Sequence, residues 1–188
     1  MLRLALTGPH GTGKTTLIKA LSAKLEKYGR VSTCREAPRL IIDRVGDSEF
    51  FRRESNTTAR QALIFLEHIM EERRASLDAD IVLSDRTLVD HLAYTTVLFP
   101  KEVDTPEVRI YREIAYESLS TYEAIFQLPI EFAPEDDGVR EADINFQRAI
   151  DETLTDLYRE AGVTPIIVRG SVVERSAQVE TSVERLLI

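Results

Sequence analysis

The sequence predicts an α/β fold, a parallel β-sheet with helices on both faces, and three observations carry that reading. Five short apolar runs alternate with longer segments whose apolar residues recur at helical spacing. The runs are nearly continuous in their hydrophobicity, the pattern of strands buried on both sides. The first of them passes straight into Gly8-Pro9-His10-Gly11-Thr12-Gly13-Lys14-Thr15, a loop of the form G-x-x-x-x-G-K-T that opens onto a helix.

Each element follows in order. Leu2 to Thr7 reads as a buried strand. From Lys14 to Tyr28 the residues Leu17, Leu21, Leu25 and Tyr28 repeat at helical spacing, with Gly29 where a C-cap belongs. Val31 to Cys34 is a second strand. Asn56 opens a long helical pattern in which Ala59, Leu63, Leu66 and Met70 share one face, with Asn56 or Thr57 as N-cap. Ile81 to Leu83 is the third strand, followed by a helix to about residue 99. Pro106 starts another helix in its first turn, running to about residue 122. Ala124 to Leu128 is the fourth strand. Residues 129–143, acidic and carrying Pro134 and Gly138, form a mobile polar segment. Ile144 to Ala161 is helical, Pro165 to Val168 is the fifth strand, and Val172 to Leu187 is a closing helix. No linker, repeat or low-complexity tract interrupts the series, so residues 1–188 read as one domain.

Composition narrows the function. The chain has 188 residues, enough for a sheet covered on both sides, with 43% hydrophobic and 30% charged residues, an ordinary globular mixture. Its 24 basic and 32 acidic residues leave a net charge of -8, which argues against broad nucleic-acid binding but leaves room for a small anionic ligand held by local arginines. No apolar run reaches the roughly 18 residues of a membrane span. Met1-Leu2-Arg3-Leu4 leads straight into the first strand and has no secretory pattern. The single cysteine, Cys34, rules out an intramolecular disulfide and suits a reducing, cytoplasmic compartment.

The glycine-rich loop supplies the chemistry. Its glycines let the backbone curl so that successive N–H groups point inward at phosphate oxygens, and the following helix adds its positive end. The expected cradle is Gly8, Pro9, His10, Gly11, Thr12, Gly13, Lys14, Thr15 and Thr16. Lys14 supplies a point charge for the β- and γ-phosphates of ATP, and the Thr15 hydroxyl is placed to coordinate Mg²⁺. His10 is expected to fill the loop with its side chain outward and is given no chemistry.

Two further clusters follow strands. Asp85, just past the third strand, should face the phosphate loop, because ligands of doubly wound sheets sit beyond the carboxyl ends of strands. There it can hold Mg²⁺ through water or accept a proton from an attacking hydroxyl; capping the next helix is the alternative. Arg86 can grip an acceptor or a phosphate, or form a surface ion pair. After the second strand, Arg35-Glu36-Ala37-Pro38-Arg39 sets a carboxylate between arginines, either to orient a polar acceptor or as a structural ion-pair cluster.

These residues resemble the P-loop nucleoside and nucleotide kinases. Asp85-Arg86 through Ala93-Tyr94 is similar to the D-R-Y-x-x-S-x-x-A-Y stretch of thymidylate kinases, and Arg35-Glu36 to their R-E-P motif, with Ala37 inserted before the proline. A closer likeness is to the ATPase/kinase group that includes the nicotinamide riboside kinase domain of bifunctional NAD-biosynthesis proteins. Its R-E-A, D-R-x-x-x-D-x-x-A-Y, D-G-x-R and G-S-x-x-E-R segments correspond to Arg35–Ala37, Asp85–Tyr94, Asp137–Arg140 and Gly170–Arg175. The resemblance implies a P-loop NTPase fold, a three-layer α/β/α sandwich with five parallel strands in the order 2-3-1-4-5. It also implies a lid at about residues 129–143, in which Arg140, helped by Arg148, would stabilise the transferring charge. Thymidylate kinases carry a base-reading arginine near the position of His68 and a glutamine near Thr95. Both are replaced here, which points away from thymidylate itself.

The resulting expectation is an ATP-dependent kinase acting with Mg²⁺ on a nucleoside or nucleotide. Lys14, Asp85 and Arg140 are its catalytic residues, Thr15 and Asp85 its metal ligands, and Glu36, Arg39, Arg86 and His68 line the acceptor pocket. A homodimer is compatible with it. The rivals are an ATP or GTP hydrolase, in which a glutamate would usually stand next to the strand-end aspartate where Arg86 stands, and a nucleotide sensor without an acceptor. Guanine recognition through N-K-x-D is not expected, since that motif does not occur.

Overall fold

The computed structural model describes residues 1–46, 56–131 and 143–187. Its strands are β1 (Leu2–Thr7), β2 (Val31–Cys34), β3 (Ile81–Asp85), β4 (Ala124–Gln127) and β5 (Ile166–Ile167). They form one sheet in the order β2-β3-β1-β4-β5, and every pairing is parallel. The helices are α1 (Lys14–Leu25), α2 (Ala37–Val45), α3 (Thr58–Ala75), α4 (Leu88–Leu98), α5 (Pro106–Leu119), α6 (Ile144–Glu160) and α7 (Val172–Leu186).

The two-residue period of β1 explains the layers. Leu2, Leu4 and Leu6 pack with Leu17, Leu21 and Leu25 of α1 and Val179 and Val183 of α7 on one face. Ala5 belongs to the other core, with Leu88 and Leu92 of α4, Val108 of α5, and Ile150 and Leu154 of α6. Strand β3 alternates likewise: Ile81 and Leu83 join the α1 side, whereas Val82 packs with Cys34 and Ala75. Ser84 therefore falls on the α3 side and Asp85, the last residue of β3, on the α1 side. Burying one such leucine fully contributes about 1.5–3 kcal/mol.

Four sequence expectations change. The helix after β2, α2, has no predicted counterpart, although Pro38 in its first turn and Gly46 (φ 74°) at its C-cap are both helix-boundary signals. Helix α1 ends at Leu25 and continues as a 3₁₀ turn over Glu26–Tyr28, so Gly29 caps that turn instead. β5 is two residues long. Most telling is α3. Thr57 is its N-cap as expected, but Ala59, Leu63, Leu66 and Met70 form its outer face, with Leu63, Leu66 and Met70 47%, 55% and 49% exposed. The buried face instead carries Gln61, Ile64, Phe65, Glu67, His68 and Glu72. Polar residues with internal partners displaced the apolar stripe from the core. Among the described residues, no helix is long and apolar enough to cross a membrane.

Candidate functional site

The carboxyl ends of β1, β2 and β3 converge on the glycine-rich loop. Gly8 leaves β1 at φ 133°, and a Cβ there would lie 2.5 Å from the Leu128 carbonyl oxygen, so only glycine fits that close approach. Gly13, at φ 87°, is the N-cap of α1, which consequently starts without a side-chain cap. The helix thus presents its first-turn amides and positive end to whatever the loop holds. Thr15 and Thr16 are exposed at this end, whereas Lys14 is buried.

The Lys14 ammonium folds back into the loop, donating to the carbonyls of Gly8 (2.7 Å) and Pro9 (2.6 Å) and to the Thr12 hydroxyl (3.3 Å). Burial lowers its pKa to about 7; the Arg86 charge adds to this, while Asp85, Asp90 and Glu36 oppose it. A polyanion in the loop would restore the preference for the charged form. His10 departs from expectation. Its side chain is buried, its ring nitrogen Nδ1 lies 2.9 Å from the Tyr94 hydroxyl, and its ring packs near Phe146. Its carbonyl accepts from Gln147 of α6 at 2.7 Å. An imidazole beside aromatic neighbours and a phenol gains more inside than a solvated loop position offers.

Asp85 reaches α1, where its Oδ2 accepts from the Thr15 hydroxyl at 2.6 Å. Its other oxygen is buried and has no hydrogen-bond partner. Burial and the nearby charge of Glu36 raise the Asp85 pKa, against the pull of Lys14, Arg86 and Thr15. A hydroxyl and a half-satisfied carboxylate facing the phosphate loop are hard oxygen donors of the kind Mg²⁺ takes when phosphates and water complete its shell. No group of three or more His, Cys, Asp or Glu able to hold a metal occurs among the described residues.

Arg86 is clamped from several sides. Its Nε donates to Glu36 at 2.8 Å, and its Nη1 to the Gly8 carbonyl and to Asp90, both at 3.2 Å. The guanidinium also lies 5.1 Å from the centre of the Tyr94 ring. Burial works against its charge, but Tyr94, Glu36, Asp90 and Asp85 raise its pKa well above the ordinary value. Its backbone sits at φ 95°, a strained conformation for a non-glycine residue that costs on the order of 1–3 kcal/mol and persists only where neighbours over-determine it.

Asp90, given no role from sequence, organises this centre. It accepts from Thr7 Oγ1 (2.8 Å), the Gly8 amide (3.2 Å) and the Thr87 amide (2.9 Å), tying the end of β1 to the start of α4. Thr87-Leu88-Val89-Asp90 is a capping box, so the T-x-x-D spacing was the available signal.

Beside Asp85 a cavity of about 350 Å³ opens between α1, β2 and α2, lined by Thr15, Ile18, Cys34, Glu36, Arg39 and Asp85 among others. That volume is within the range of small-molecule pockets. Two of the residues expected around an acceptor, Glu36 and Arg39, line it, and Arg39 Nε donates to Glu36 at 3.2 Å. Arg86 and His68 do not. His68 is fully buried, with Nδ1 3.2 Å from His91 Nε2 and Nε2 3.6 Å from Glu72. It belongs to the packing between α3 and α4. Arg140 and the Asp137–Arg140 motif lie outside the described residues.

Comparison with known proteins agrees with this geometry. Thymidylate kinases from two strains of Staphylococcus epidermidis are 33% identical over 126 residues, 62% of this chain and 59% of their own length. The chain thus spans about three fifths of the relatives it matches. The crystal structure of NadR protein in complex with NAD and AMP-PNP superimposes with a TM-score of 0.70 at 15% identity, covering 98% of this chain and 49% of that one. Deoxyadenosine kinase from M. mycoides with bound dATP gives a TM-score of 0.64 at 13% identity, covering 97% and 100%. At such identities the two structures establish a shared fold, a parallel sheet in the order β2-β3-β1-β4-β5 flanked by helices. The sequence match to the AAA domain family runs over residues 3–175, and the chain belongs to that family.

Proposed function

We propose that the chain is an ATP-dependent kinase that transfers the γ-phosphoryl group to a nucleoside or nucleotide-like acceptor. The observation that carries this reading is the Thr15–Asp85 pair, which stands where the phosphate loop meets the adjoining cavity. A donor in the loop and an acceptor in the cavity would face each other across it. In the transfer, an acceptor oxygen bonds to the γ-phosphorus as the bond to the β,γ-bridging oxygen breaks, and the nucleoside diphosphate leaves.

Each residue then has a task. The loop Gly8 to Thr16 holds the donor phosphates through its amides from Gly11 onward, since Pro9 has none and those of Gly8 and His10 donate to Asp90 and the Tyr94 hydroxyl. Lys14 places its ammonium against the phosphates in place of the Gly8 and Pro9 carbonyls. Thr15 and Asp85 would hold Mg²⁺, which when bound neutralises charge on the donor. Alternatively, the free oxygen of Asp85, on a carboxyl whose pKa is raised, accepts a hydroxyl proton instead of holding the metal. Glu36 and Arg39 give the cavity wall both an acceptor and a donor for a polar ligand. A hydrolase reading is less well supported, because the residue after Asp85 is the clamped cation Arg86 and not a carboxylate free to orient water.

Incubation with ATP, magnesium and a panel of nucleosides, nucleoside monophosphates and nicotinamide riboside tests the proposal. At least one acceptor should be phosphorylated faster than ATP is hydrolysed, and Lys14→Met should reduce that rate by roughly 10²–10³-fold. ATP consumption that no acceptor increases would sink it.

A further inference from the structure

We infer that Arg175, on α7 and remote in sequence from the glycine-rich loop, is a positioning residue for the donor phosphates, acting through the Thr12–Gly13 peptide. This rests on the reading that the loop holds a nucleoside triphosphate. Ser171 and Glu174 form a capping box that fixes the first turn of α7, and from that turn the Arg175 side chain runs inward. It is 3% exposed. Its Nη1 donates to the Thr12 carbonyl at 2.7 Å, and its Nη2 donates to Glu131. Gly13 adjoins it, since a Cβ there would lie 3.6 Å from the same Nη1.

A trans peptide is planar, with its C=O and N–H pointing in opposite directions. No cis peptide occurs among the described residues. A cation that holds the Thr12 oxygen on the α7 side therefore turns the Gly13 N–H the other way, toward the concave side of the loop. It also polarises that amide, and an ion-assisted bond is about twice as strong as a neutral one. Glu131 completes the arrangement: it also accepts from the Gly170 amide at 3.2 Å, so the guanidinium is held between the segment that follows β4 and the turn before α7. The His10 carbonyl is pinned by Gln147 from the opposite flank. Two helices far apart in the chain thus hold two carbonyls of the loop, those of His10 and Thr12. The Gly170–Arg175 motif gains a physical task, which neither the donor nor the acceptor side had given it.

Titration calorimetry with ATP and ADP, magnesium present, on wild type, R175K and R175A tests this, with melting temperatures measured alongside. R175A should bind both nucleotides roughly tenfold more weakly, the scale of one hydrogen bond to a charged group. R175K keeps a charged donor and should fall between. Millimolar ethylguanidinium should restore part of the R175A loss. Unchanged nucleotide affinity in R175A overturns the inference alone. So does a loss that only follows the melting temperature, with R175K as weak as R175A and no recovery with ethylguanidinium. Wild-type protein that takes up no triphosphate sinks the donor reading and this inference together.

Discussion

Two buried carboxylates, Glu72 of α3 bonded to Ser84 of β3 and Asp85 at the next position of that strand, show how differently the two faces of the sheet are used. On the α3 side, Ser84 Oγ donates to Glu72 at 2.7 Å, and Glu72 also accepts from the Tyr122 hydroxyl and, at 3.0 Å, from Arg3. Burial opposes its ionisation, but the His68 imidazole, Tyr122 and Ser84 outweigh it and hold the carboxyl down at about 2. On the α1 side, Asp85 keeps one oxygen without a partner and its pKa is raised. One residue of register separates a closed, satisfied network from a half-satisfied one. A buried carboxylate with all its partners belongs to the scaffold. One left short beside an open cavity is poised for a ligand.

The largest effect expected from that contrast is on turnover. Asp85→Asn should slow phosphoryl transfer by about 10²–10⁴-fold, the range for a group that handles a reacting proton. Its melting temperature should hold or rise, because the substitution removes a charge that burial and Glu36 disfavour. A D85N protein that turns over normally would break the comparison at its functional end.

Glu72→Gln should do the reverse. Urea denaturation should show a loss of about 1.5–3 kcal/mol, as for hydrogen bonds to a charged group, with nucleotide affinity kept. The same variant sharpens the pH argument. The folded pKa of Glu72 lies below its ordinary 4.5, so its stabilisation is fully present above 4.5 and is lost as pH falls toward about 2. Wild type should therefore lose more stability than E72Q between those values; parallel acid titrations of the two would contradict the assignment. The smallest effect concerns the outer face of α3, where Leu66→Gln should change stability by no more than about 0.5 kcal/mol. A loss near the 3–5 kcal/mol expected of a buried aromatic such as Phe65→Ala would mean that this face is covered in solution.

The parts legible in the sequence are those that local rules control. The strand, glycine-rich loop and helix at the start of the chain follow from residues adjacent in sequence, and the two-residue period of β1 already separates its core faces. Asp85 stands out in the sequence because its strand ends in a charge. Helix α2 was within reach through Pro38 and Gly46, but its short apolar pattern, Leu40 and Ile41, was hidden behind the Arg35–Arg39 charges. The orientation of the α3 face is not legible for a different reason. Hydrophobicity assigns Leu63, Leu66 and Met70 inward, and nothing local reveals that His68 and Glu72 have partners waiting on β3, α4 and the loop before β4.

By itself, the sequence determined that strands would alternate with helices and that a cradle of amides with one lysine would follow the first strand, because periodicity and glycine conformations act within a few residues. Only the tertiary structure decided which charges became scaffold and which stayed open. Arg86 closed onto Glu36 and Asp90, His68 turned into the interior, and Arg175 crossed from the far end of the chain to the Thr12 carbonyl. The reason is that whether a buried charge is stable depends on partners distant in the chain, and the packing of the sheet and helices brings those partners within hydrogen-bond reach.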